Sequence, residues 1–92
     1  MKPLNPRMVL ADGIELSIQA SEMHHCNPRN DTGPYTHMEV AIYNAEGMIR
    51  GWPEPDWMDE TPGHRVDVYP YVPIQKIAAF IHKHGGIAQW QA

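Results

Sequence analysis

The chain has 92 residues, a formal net charge of −4 and one cysteine. This length predicts a single domain over 1–92. A lone Cys26 rules out an internal disulfide, and 11 acidic against 7 basic residues disfavour direct nucleic-acid binding, which needs cations that neutralise phosphates.

Residues 1–6 carry two prolines and are expected to form an irregular lead-in, since proline has no N–H for a sheet ladder. Residues 7–20 are expected to form a hairpin. Ile14, Leu16, Ile18 and Ala20 alternate with polar residues, and Asp12-Gly13 suits a type I′ turn with positive φ at both central positions. Asn27-Pro28, Asn30, Asp31, Gly33 and Pro34 mark 21–34 as a long loop. From Tyr35 to Tyr43 a third strand is predicted, with Met38, Val40 and Ile42 on one face and Tyr35, His37, Glu39 and Tyr43 on the other. Met48-Ile49-Arg50 suggests a short fourth.

Residues 51–64 are rich in proline, acid and tryptophan and are expected to form an irregular loop. Alternation returns over Arg65–Val72, with Val66, Val68 and Val72 opposite Arg65, Asp67, Tyr69 and Tyr71. Pro70 argues for an edge strand. A helix is predicted over 73–84, with Pro73 at its first position. Ile74, Ile77, Ala78 and Ile81 form its core stripe, His82, Lys83 and His84 suit its last turn, and Gly85-Gly86 ends it. Ile87 and Trp90 can fold back on the sheet or helix. The fold class expected is α+β: a small, mainly antiparallel sheet of three to five strands with a C-terminal helix packed on one face. Apolar residues make up 42%, enough for one small core but not for a large buried active site. No run reaches the roughly 20 apolar residues that span a bilayer, and residues 1–20 lack a signal peptide's apolar stretch, so a soluble intracellular protein without membrane contact is expected.

Two clusters carry candidate chemistry. Trp52, Glu54, Asp56, Trp57, Asp59 and Glu60 combine large rings with carboxylates, a mix suited to docking on a basic protein surface with apolar pockets. Arg29 and Asn30 are added as loop residues able to touch a partner. Against this stands the opposing expectation that a thin core recruits at least one of the tryptophans. The alternative cluster is His24, His25, Cys26 and His37, with Asp31 or His64, a donor set that suits zinc. It lacks the paired spacing of a structural zinc site. Neither an orienting residue nor oxyanion donors are legible for a Cys–His nucleophile. No enzymatic activity and no cofactor are therefore expected.

The run LADGIELSIQA, the loop CNPRNDTGPYT and the closing YVPIQKIAAFIHKHGG resemble small bacteriophage and prophage proteins, and the size and acidity are similar to those of anti-CRISPR inhibitors. That resemblance implies a noncatalytic protein-binding module in the host-cell cytoplasm. It would block a CRISPR surveillance complex, a host protein or ribonucleoprotein with a basic surface. A small metal-binding or catalytic domain and a virion assembly component are the other expectations.

Overall fold

The computed structural model describes residues 3–49, 54, 57 and 68–90. The fold is α+β, a mainly antiparallel sheet with one helix. The elements run β1 Met8–Leu10, β2 Glu15–Gln19, β3 His37–Asn44, β4 Gly47–Met48, β5 Tyr69–Pro73, α1 Ile74–Lys83 and β6 Ile87–Trp90. Six strands lie among the described residues, one more than the upper bound expected, and the sheet order is β4-β3-β2-β1-β6 with β5 also on β3. No helix among the described residues is long and apolar enough to cross a membrane.

The first hairpin lies where alternation puts it, but its turn differs. Leu10 N–H bonds to Ile14 O at 2.8 Å and Gly13 N–H to Leu10 O at 3.0 Å, so three residues join the strands. Among them positive φ falls on Gly13 alone, at 92°, as in a three-residue hairpin closed by a left-handed glycine. Asp12 stays out of the left-handed region, and its carboxylate accepts from the Ile14 N–H at 3.1 Å and pairs with His84.

The third strand runs from 37 to 44, two residues later than predicted at its start and one at its end, because Tyr35 turns away to donate its hydroxyl to Asn30 O at 2.8 Å. In β5 strict alternation fails. Val40 pairs with Tyr69 and Met38 with Val72, so three steps along β5 match two along β3. This bulge centres on Pro70 and Tyr71, and Tyr71 has φ 53°. A bulge turns the residues beyond it to the other face. Tyr69 therefore joins Val72 inside rather than Tyr71 outside, and Arg65–Asp67 lie beyond the described residues.

Helix α1 is shorter than predicted by one residue at each end. Pro73 is its N-cap, still paired in β5, and the first helical N–H, of Ile74, is satisfied by Thr36 O at 3.1 Å. At the other end Gly86 N–H returns to Ile81 O at 2.9 Å and Gly85 N–H to His82 O at 3.1 Å. This is the paired bond pattern that left-handed glycines allow at helix ends. Gly86 O then accepts from Ala11 N–H at 2.9 Å, delivering the chain to β1 as β6. The tail that could fold back on sheet or helix is thus a sheet strand, and α1 is not the last element.

The core gathers Leu10, Leu16, Val40, Ile42, Tyr69 and Val72 from the sheet with Ile77 and Phe80 from the helix. The predicted helix stripe is rotated. Of its four members only Ile77 is buried, while Ile74 is 41% exposed and Ala78 is exposed. Phe80, outside the predicted stripe, is buried instead, because Trp57, itself packed on Tyr69, lies against it.

Candidate functional site

The tryptophan-acid segment enters the described structure at two positions. Trp57 is 6% exposed, its ring 5.3 Å from Tyr69 in an edge contact and 5.1 Å from Phe80. Expected as an exposed anchor, it is a core residue, since a single ten-residue helix leaves apolar sheet surface that a second large ring must close. Glu54 donates its N–H to the Tyr69 hydroxyl at 2.8 Å, and its carboxylate lies 3.6 Å from Lys83 Nζ. The backbone at Glu54 is therefore tied to the fold and its carboxylate is paired within it. Burial raises the ionisation of Tyr69 above its ordinary 10.0. The N–H donated by Glu54 partly offsets this, and the Glu54 charge adds to it. Trp52, Asp56, Asp59 and Glu60 lie outside the described residues.

Arg29 and Asn30 brace their own loop. Arg29 Nε donates to Glu22 O at 3.0 Å, and Asn30 Oδ1 accepts from the N–H groups of Thr32 and Gly33 at 3.1 and 2.8 Å. Both side chains remain exposed.

The His and Cys donors do not converge. Cys26 is 1% exposed, and its thiol points at the carbonyls of Ser21 and Pro28, 3.2 and 3.4 Å away. His37 Nδ1 meets Thr36 Oγ1 at 2.8 Å. His25 Nδ1 donates to Glu39 Oε1 at 2.9 Å, and His24 Nδ1 meets Ser21 Oγ at 2.6 Å. Among the described residues no three His, Cys, Asp or Glu side chains form a group that could hold a metal ion. Ser21, His24 and Glu39 line up like a nucleophile, base and acid, but Ser21 is 1% exposed and its oxygen already accepts from Met23 N–H at 3.1 Å. A nucleophile must be reachable, so this row orients side chains.

Beside Trp57 and Phe80 a cavity of about 260 Å³ is bordered by Glu54, Lys76 and Lys83, and two further concave surfaces lie on opposite faces of the sheet. Beside α1 runs a groove of about 220 Å³ whose floor is Met8, Ile18 and Met38, one from each of β1, β2 and β3. Its near wall is Ile74, Ala78 and Ile81, and its far wall is Trp90, 49% exposed. Every described lining side chain is apolar. The sequence signal was the stripe Ile74, Ile77, Ala78 and Ile81, but periodicity does not say which of its members remain uncovered. On the helix-free face a second cavity of about 240 Å³ stands on Ser17, Gln19, Glu39, Ala41 and Tyr43. These are alternate residues of two strands paired Ser17↔Ala41 and Gln19↔Glu39, and Glu39 is the one carboxylate among its described lining residues. The aromatic strand face expected here is reduced to Tyr43, which carries the Arg7 guanidinium 3.6 Å above its ring.

No protein-family model matches the chain, and no solved structure matches it. A probable allantoicase of Pseudomonas aeruginosa (strain LESB58) is 32% identical over 69 residues, covering 71% of this chain and 21% of that protein. The chain thus spans about a fifth of the length of this curated relative.

Proposed function

We propose that the protein is a noncatalytic protein-binding module and that the groove between α1 and Trp90 is its contact surface. The observation that carries this reading is a concave surface whose described lining side chains are all apolar on a chain of 92 residues. Leaving Ile74 and Trp90 half-exposed beside it forfeits hydrophobic stabilisation that a partner's side chains would restore. Two methionines in the floor adapt to the shape of an inserted group, and Trp90 supplies a large ring of the kind that dominates interface energetics. The resemblance to phage proteins supports a host defence complex as the partner, as for an anti-CRISPR inhibitor. The carboxylates between 54 and 60 would then face a basic part of that complex. The similarity to a probable allantoicase covers too little of that enzyme to bring its activity to this chain.

A photo-reactive phenylalanine analogue at position 74 or 90 should cross-link one protein partner in lysate of the host bacterium. In a reconstituted complex, joint Trp90→Ala and Ile74→Gln substitution should weaken binding at least tenfold, equivalent to about 1.4 kcal/mol. No cross-link from either position, or a complex indifferent to the double variant, would overturn the reading.

A further inference from the structure

The cavity on the helix-free face has a pairing of groups that protein-partner binding does not use. Glu39 has a side chain 19% exposed, and one of its oxygens, Oε1, is held by His25 at 2.9 Å. The other, Oε2, has as its nearest described cation the His24 Nε2, 4.0 Å away, beyond hydrogen-bonding reach. A largely buried carboxylate oxygen without a donor is costly, and here it borders empty space.

The proton on His24 follows from its other neighbour. The Ser21 hydroxyl is buried and already accepts from Met23 N–H, so its own hydrogen needs an acceptor. His24 Nδ1, 2.6 Å away, is that acceptor. An imidazole accepting at Nδ1 carries its hydrogen at Nε2. The cavity wall therefore presents a donor, His24 Nε2–H, beside an acceptor, Glu39 Oε2, separated by 4.0 Å. The complement of such a pair is an acceptor and a donor fixed side by side in one planar group.

The geometry points to a binding site for a small neutral molecule bearing a primary carboxamide or urea, its C=O accepting from His24 and its N–H donating to Glu39. An ammonium or amidinium has no acceptor for the His24 N–H, and a carboxylate has no donor for Glu39. Tyr43, Met48 and Val68 line the same space and suit a compact apolar body attached to that group. The volume holds roughly eight waters at about 30 Å³ each, room for on the order of ten non-hydrogen atoms. Gln19 does not compete for the ligand, because its amide is bound at both ends to the Asn5 backbone, at 2.8 and 2.9 Å.

Benzamide, benzamidine and benzoate share one shape and differ in this group, so together they test the site. Titrated into the full-length ¹⁵N-labelled protein, benzamide should give saturable shifts centred on the amides of Ser17, Gln19, Glu39, Ala41 and Tyr43. The two charged analogues should bind at least tenfold more weakly, and Glu39→Ala should weaken benzamide tenfold. Ser21→Ala removes the hydroxyl that fixes the His24 hydrogen on Nε2 and should narrow the preference for benzamide over benzamidine, a change that loss of packing alone does not produce. Absence of saturable shifts, shifts confined to the groove beside α1, charged analogues equal to benzamide, or an unaffected Glu39→Ala protein with native spectral dispersion would overturn the assignment. A failed cross-link at position 74 or 90 leaves this site untouched, so the two readings fail separately.

Discussion

The two flanks of α1 differ in what lines them, charged side chains around a buried ring pair on one and apolar side chains on the other. On one, Phe80 packs on Trp57, which packs in turn on Tyr69, and Trp57 is held by a backbone bond to Glu54 O at 3.0 Å. On the other, Ile74, Ala78 and Ile81 face Trp90 across open space. The difference lies in what returns to each flank, because a ten-residue helix covers only part of a sheet five strands across. Apolar surface is thus structural where the chain comes back to it and available for recognition where it does not.

The sharpest way to break this comparison is to delete one ring from each flank. Trp57→Ala should cost about 3–5 kcal/mol, the usual loss for a buried aromatic and a large share of the roughly 5–15 kcal/mol that holds such a domain. Trp90→Ala, half-exposed at the outset, should cost a fraction of that. Urea denaturation of both variants reads the difference, and equal losses would mean that the groove is as closed as the core.

A smaller effect sharpens the closed flank. Tyr69→Phe removes the hydroxyl that accepts from Glu54 N–H, at a cost of about 0.5–1.5 kcal/mol. The pH dependence has a definite sign. Tyr69 ionises above 10.0 in the folded chain, so the unfolded chain loses its proton first. Stability is then complete below pH 10 and falls as pH rises beyond it. Denaturation midpoints between pH 9 and 11 should decline less steeply in Tyr69→Phe.

The smallest effect concerns the contact between the hairpin tip and the end of α1. The hydrogen bond from His84, and after it the Ile14 N–H, hold the Asp12 carboxyl below its ordinary 3.8. A lowered acid stabilises the fold above its unfolded value, and that contribution fades as pH falls from about 3.8 through the folded value. Asp12→Asn should flatten this acid limb in thermal melts between pH 2 and 5 and leave stability near pH 7 changed less than by either ring deletion.

Much of the fold was legible from residue order, and for stated reasons. Alternation located β2 and β3, and Asp12-Gly13 located the first turn, though a left-handed conformation at Gly13 alone replaced the predicted pair. The sheet was undercounted because Ile87–Trp90 has no turn-bounded alternation of its own and becomes a strand only through β1. For the sites, the histidine loop was singled out for metal, whereas its histidines turn toward Glu39 and Ser21. Alternation places Glu39 only as one residue of a strand face shared with Tyr35 and Tyr43, since nothing local reveals that residues 24 and 25 will arrive beside it. Residue types around Trp57 fit both an anchor and a core ring, and its contact with Phe80, 23 positions on, makes it core.

Residue order by itself determined what depends on a few neighbouring positions: strand alternation, the Gly85-Gly86 helix stop and the edge character that Pro70 confers on β5. These follow from backbone sterics and from hydrogen bonds that close within one turn. Tertiary structure alone decided which flank of α1 is covered, on which face Tyr69 lands and that Glu39 keeps an oxygen without a donor. Each of these outcomes depends on which distant segment fills the space beside a residue, and burial and hydrogen-bond satisfaction are settled only when that segment is in place.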